Sequence, residues 1–325
     1  MTGNISFLPI LQFVTTAILI IGLVRFFKWR GKFSDADQPV FDKLVTEIAL
    51  PVGIFAILAT FDFSPETLLP AGILFLALML TVVLAFLICH ICHFRPAVTG
   101  TIIMVAGFGS TATMGNSLLL DFFSSQPTLV EKGITVQMLG VGFPIFTIGI
   151  FIASYYGAKE AGKIVKVSNT LKEFMETPIF ISFIIGITMA FLMEYFQVPG
   201  IVVFSDFFFH FFTVISLSLS LFVWFAIGLM LRPIKIRYFL PLFLLVVGIK
   251  LFFEPLVVSG LVISAVSPLI VKQILLLEGA MPSGAIAAVI ASRYGCDRSL
   301  AGWLVVGTYL MSLITIPLLF LGLPW

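Results

Sequence analysis

In a chain of 325 residues with 60% apolar and 10% charged content, a charged side chain inside an apolar run is the first thing to explain. Lys250 and Glu254 stand four residues apart in the run 239–263, ahead of Pro255, and Glu278 stands in the run 269–292, four residues before Pro282. At the centre of a bilayer such a group costs at least about 2.5–3.5 kcal/mol unless paired or bound, so it is functional by default. At this spacing Lys250 and Glu254 can pair with each other; alternatively, Lys250 can neutralise an anionic solute. A carboxyl at Glu278, stripped of water, could exchange a proton or hold a cation during transport. Lys272 is six residues away and poorly placed to pair with it. Gln137, a buried amide, needs partners either in a ligand or across a helix contact.

Two segments carry residues that release backbone from helix. One runs Gly107-Phe108-Gly109-Ser110-Thr111-Ala112-Thr113-Met114-Gly115-Asn116-Ser117, and the other Glu278-Gly279-Ala280-Met281-Pro282-Ser283-Gly284. Glycine permits the departure, and proline removes a hydrogen bond, so helix breaks are expected at Gly115 and Pro282. Unpaired peptide groups in hydrocarbon cost several kcal/mol each unless they line a cavity or meet a ligand. Facing half-helix N-termini would make a donor-rich pocket for an anionic group. Ser110, Thr111, Gly115, Asn116, Gln137, Lys250, Pro282 and Ser283 are the residues such a pocket would use, with Glu278 and Glu254 for proton or ion coupling. Small residues also serve plain close packing between helices. His210, ahead of Ser216, Ser218 and Ser220, reads as a packing histidine. Cys89-His90-Ile91-Cys92-His93 fits the haem-attachment spacing C-x-x-C-H, but it lies at the basic-loop end of its run, and ligands crowded into five residues surround a zinc poorly. With Cys296 the only other cysteine, neither a disulfide framework nor a cofactor is expected.

The elements that must position these residues are membrane spans. Soluble domains are about 25% charged, and a mean hydropathy of +1.18 leaves lipid as the fitting solvent. Ten runs are long enough to cross: Ile5–Val24, Leu44–Phe61, Leu69–His90, Ala97–Phe122, Ile134–Tyr155, Pro178–Phe196, Phe208–Leu231, Phe239–Ile263, Leu269–Ser292 and Leu300–Leu323. The first lacks a basic leader and reads as a span. Strand alternation is absent, so the expected class is an all-α integral membrane protein.

Fifteen basic residues (Arg25, Lys28, Arg30, Lys32, Lys43, Arg95, Lys159, Lys163, Lys166, Lys172, Arg232, Lys235, Arg237, Arg293 and Arg298) fall in the loops after odd-numbered spans. Only Lys132 falls in the opposite loops. The pattern predicts both termini outside a plasma or inner membrane. The polar connection 157–177 divides the chain into units 1–156 and 178–325 of five spans each. An odd number inverts the second unit, and the two Gly/Pro segments lie about 105 residues into their units, the pattern of an inverted repeat around a binding site. The net charge of +2 implies no nucleic acid partner.

Several segments resemble the auxin efflux carrier family, which includes the plant PIN proteins and belongs with the bile acid, arsenite and riboflavin transporters. Phe41-Asp42-Lys43-Leu44-Val45-Thr46-Glu47-Ile48-Ala49-Leu50-Pro51 is similar to its second-helix start, and Ala226-Ile227-Gly228-Leu229-Met230-Leu231 to its seventh-helix ending. Ala280-Met281-Pro282-Ser283-Gly284 with Ala291-Ser292-Arg293-Tyr294-Gly295 resembles its ninth helix. The fourth-helix motif, about N-T-x-x-x-G-x-P, departs here: Ser110 replaces the asparagine, Ser117 replaces the proline, and Asn116 stands where the family is apolar.

The resemblance implies crossed, broken fourth and ninth helices, and a scaffold of spans 1, 2, 6 and 7 in a homodimer. It also implies a transport domain of spans 3–5 and 8–10 moving as an elevator. The expected function is secondary or facilitative transport of a small organic anion. The alternatives are a proton- or sodium-coupled symporter of another solute, and a sensor or channel on the same fold. No Walker A segment or H-E-x-x-H motif is present, so neither ATP drive nor an enzyme is expected.

Overall fold

The computed structural model describes residues 7–59, 65–163, 167–196, 214–215, 218–264 and 268–322. His210 and Ser216 lie outside the described residues. Among those described the protein is all-helical, without a strand; its single β-type contact is an isolated bridge between Gly109 and Ser283. Among the described residues five helices are long and apolar enough to cross a bilayer: Phe7–Trp29, Glu66–Ile91, Pro127–Glu160, Ile236–Ile263 and Arg298–Phe320. Three shorter apolar helices, Pro96–Gly107, Pro178–Leu192 and Ser218–Met230, pack among them.

Proline sets where several of these helices begin. Pro65, Pro96, Pro127 and Pro178 each occupy the first helical position, where the missing N–H would have had no intrahelical acceptor. Basic side chains finish another: Lys28 donates to the Leu229 carbonyl at 3.2 Å in the last turn of Ser218–Met230, and Arg25 to the Leu231 carbonyl at 2.7 Å just beyond it. The connection 157–177 contains a helix, Val167–Met175, where the sequence reading expects a loop.

Two helices that carry the site are enclosed by protein rather than lipid. Every residue from Ala97 to Gly107 and from Ala285 to Ala291 is buried. Their small side chains, including Gly100, Ala106, Ala287 and Ala288, let neighbouring backbones approach closely. Five helical stretches are widened into π turns: Leu44–Ala49, Thr111–Gly115, Met138–Gly142, Ile145–Gly149 and Gly248–Phe253. Such turns collect at functional sites. The last four all lie around the site described next.

Candidate functional site

Two interrupted helices satisfy each other's backbone. Pro96–Gly107 ends in an extended Phe108 (φ −104°, ψ 119°), and helix resumes at Thr111. Leu269–Gly279 ends before Ala285–Arg293 begins, with Gly284 extended between them. The Ser110 N–H donates to the Pro282 carbonyl at 2.8 Å, and the Gly284 N–H donates to the Phe108 carbonyl at 2.8 Å. The Ser283 N–H donates to Thr308 Oγ1 at 3.3 Å. Peptide groups that would be stranded in hydrocarbon are paired across the crossing. The first break falls at Phe108–Ser110, whereas the sequence reading puts it at Gly115. Gly115 lies in a continuous turn running into Asn116–Phe122.

A cavity of ≈ 350 Å³, counting the open space at its mouth, lies against the crossing. Gly109–Thr113 form one wall, Met138 to Phe146 a second, and Gly284, Ala285 and Ile286 a third. The third wall is the start of a nine-residue helix, whose first N–H groups have no intrahelical acceptor and carry partial positive charge.

Charged groups stand directly behind this surface. Lys250, fully buried on its π turn, donates to Glu254. Its ammonium also meets the break, because a methyl at Gly109 would sit 2.7 Å from Nζ. A side chain there would force the ammonium to shift. Gly115 serves Glu278 in the same way: a methyl would sit 2.6 Å from Oε2. Glu278 is buried, and neither of its carboxyl oxygens has a hydrogen-bond partner among the described residues.

The remaining predicted residues gather here too. Thr111 Oγ1 donates to Gln137 Oε1 at 3.0 Å, while Gln137 Nε2 has no partner among the described residues. Asn116 Nδ2 donates back to the Ala112 carbonyl at 3.2 Å, and its Oδ1 has no partner among them. The same is true of the buried Ser283 Oγ. Ser110 Oγ bonds Thr113 Oγ1 at 2.5 Å and the hydroxyl of Tyr309. Tyr309 and Thr308 are absent from the sequence reading, and Thr113 enters it only as part of the segment 107–117. Tyr309 contacts Ser110 across 199 positions, with no local signal to mark it.

The half-helix Ala285–Arg293 reaches a second polar cluster at its other end. Ser292 Oγ donates to Asp42 Oδ2 at 3.0 Å, and Gln38 Nε2 lies 3.0 Å from Asp42 Oδ2 and 2.6 Å from Ser292 Oγ. Arg298 donates to Gln38 Oε1 at 2.9 Å, and Arg293 pairs with Glu47 at 2.6 Å. Asp42 precedes the second apolar run. Burial pushes its carboxyl up to about 6, against the hydrogen bonds from Ser292 and Gln38 and the charges of Arg293 and Arg298.

Comparison with known proteins agrees with this architecture. A membrane transport protein family model matches residues 5–320. An uncharacterized transporter of Methanocaldococcus jannaschii is 26% identical over 94% of this chain and 96% of its own length. The solved structure of the sodium proton antiporter MjNhaP1 from the same organism superposes with a TM-score of 0.51, at 15% identity, over 97% of this chain and 98% of that one. This likeness is one of fold. The family match agrees with the auxin-efflux resemblance and makes the chain a transporter rather than an enzyme. The chain is an integral membrane protein of the membrane transport protein family.

Proposed function

We propose that this chain carries a small organic anion, with a carboxylate as the recognised group, by secondary or facilitative transport. The observation that carries the reading is the pairing of the two helix breaks beside a cavity. That cavity ends on the N-terminus of Ala285–Arg293, with the Lys250 ammonium held behind Gly109. The helix N-terminus places partial positive charge where solute would sit, and the Lys250 ammonium, shared with Glu254, lies close behind it. Ser110, Thr111, Gly115, Asn116, Gln137, Lys250, Pro282 and Ser283 form the binding set in this reading.

The wider architecture belongs to the same proposal: ten spans in two inverted five-span repeats, 1–156 and 178–325, joined by a cytoplasmic connection 157–177. Mutual pairing of the breaks at matching depth in the two units supports it. The scaffold would be spans 1, 2, 6 and 7 of a homodimer in the plasma or inner membrane, with both termini outside. The transport domain would move against that scaffold as an elevator. Single cysteines replacing Lys163 and Ser125, in a background without Cys89, Cys92 and Cys296, should label from opposite sides of the membrane; labelling of both from outside would refute the topology.

A second reading, cation coupling, has its own observation. With Lys250 engaged by Glu254 and no hydrogen-bond partner for Glu278 among the described residues, an ionised Glu278 would be a costly buried charge, which favours its holding a proton or a cation. A solved structure of similar fold is that of a sodium proton antiporter. Proteoliposomes separate the two readings. Labelled acetate, lactate, malonate or benzoate should enter saturably and faster when unlabelled carboxylate is inside. A pH gradient driving uptake in wild type but not in Glu278→Gln would assign the coupling. Uptake of sodium with no carboxylate flux would overturn the anion reading.

A further inference from the structure

Three buried hydroxyls meet at one wall of the cavity. Ser110 Oγ lies 2.5 Å from Thr113 Oγ1 and is also bonded to the Tyr309 hydroxyl, whereas Tyr309 and Thr113 are 3.5 Å apart. Hydroxyl–hydroxyl bonds span about 2.5–3.0 Å, so the three form a chain through Ser110 rather than a closed ring. Each hydroxyl has a single proton. A chain of two bonds uses two of the three protons; with Ser110 accepting from one neighbour and donating to the other, the third emerges at one end.

The surroundings decide which end. The Tyr309 ring is 2% exposed, stacked on Phe13 at 6.2 Å and edge-on to Trp224 at 4.9 Å. Neither ring offers an oxygen acceptor, and a buried donor left unmet there costs about 1–3 kcal/mol. Thr113 lines the cavity. Among the described residues its hydroxyl has no acceptor outside the chain. The favoured order therefore runs from Tyr309 to Ser110 to Thr113, with the spare proton presented to the cavity. The rings of Phe13 and Trp224 fix the start of the chain, so this polarity is held before any solute arrives.

We propose that Tyr309 is a positioning residue for substrate. Through Ser110 it holds the Thr113 hydroxyl as a proton donor turned into the cavity, so the site requires a solute group that accepts there, a carboxylate oxygen. This rests on the anion reading above. It goes further in assigning the preference to an ordered chain that starts on the last helix, outside both helix breaks.

The test is a double-mutant cycle on the full-length protein in lipid nanodiscs. Binding is measured with whichever of acetate, lactate, malonate and benzoate binds wild type most tightly. Thr113→Val removes the presented donor and should weaken binding about tenfold. Tyr309→Phe keeps the ring and should weaken it severalfold, with the thermal midpoint followed in parallel. The decisive variant carries both changes. If Tyr309 acts through Thr113, the double variant binds no more weakly than Thr113→Val alone. Losses that multiply, or a Tyr309→Phe that binds as wild type, overturn the proposal. Should Tyr309→Phe fold poorly, Ser110→Ala cuts the same chain in its middle and must show the same non-additivity with Thr113→Val. Failure of all four probes to bind wild type sinks the anion reading itself, whereas wild-type binding with additive losses sinks only the role of Tyr309.

Discussion

The two ends of the half-helix Ala285–Arg293 treat polar groups differently. At the Arg293 end nearly every group is matched: Ser292, Gln38, Arg298 and Asp42 Oδ2 share hydrogen bonds, Arg293 holds Glu47, and Asp42 Oδ1 alone is left over. At the Gly284 end the N–H groups of Ser110, Ser283 and Gly284 are paired, yet among the described residues Gln137 Nε2, Ser283 Oγ, Asn116 Oδ1 and both oxygens of Glu278 are buried without partners. A buried polar group left unpaired costs about 1–3 kcal/mol, and one helix would not concentrate that deficit at one end for packing alone. The matched end joins helices, and the unmatched end is where we propose that solute binds.

The largest effect expected from breaking this contrast is at Lys250. Lys250→Met leaves Glu254 buried alone and should lower stability by about 3–5 kcal/mol. Adding Glu254→Leu should restore the thermal midpoint but not carboxylate transport. Wild-type transport in that double variant would make the pair purely structural.

A smaller effect is expected at Gly115, where an added methyl would meet Glu278 Oε2 at 2.6 Å. Gly115→Ala should cost about 1–3 kcal/mol as overpacking, and Glu278→Ala should relieve it. A denaturation series showing the penalty unchanged in the Glu278→Ala background would remove Glu278 from the crossing.

The matched end should respond to pH. In the folded arrangement the Asp42 carboxyl is raised from 3.8 to about 6, so that arrangement binds a proton more tightly than solvated aspartate does. Its stability should rise as pH falls from 6 towards 3.8 and be level outside that window, by about a hundredfold in equilibrium constant at most. The thermal midpoint of wild type should gain on that of Asp42→Asn between pH 7 and pH 5. Parallel curves for the two proteins would assign the dependence elsewhere.

The parts legible in the sequence are those governed by local chemistry. Apolar run length is enough for the long helices, and Gly109, Ser110, Pro282 and Ser283 mark the segments that leave helix. The rarity of charge in such runs picks out Lys250, Glu254 and Glu278. What local chemistry could not place depends on distant partners. The first break moves from Gly115 to Phe108–Ser110 because Pro282 and Gly284 supply the hydrogen bonds there. Gly115 is small for a different reason, to admit the Glu278 carboxylate. Tyr309 sits in an ordinary apolar helix, and only the fold brings its hydroxyl to Ser110. The helix Val167–Met175 was hidden by its polarity, since a short amphipathic helix between apolar runs reads as a loop.

The central claim is that the unmatched end of this half-helix receives an anion. Ala112 lines the cavity and is only partly buried, so a cysteine there, in a protein lacking Cys89, Cys92 and Cys296, reports on the cavity's potential. The measurement is its rate of modification by an anionic and a cationic methanethiosulfonate reagent of similar size, with and without saturating carboxylate. The account predicts faster modification by the anionic reagent and protection by the carboxylate. Faster modification by the cationic reagent, with no protection by any carboxylate, would contradict it.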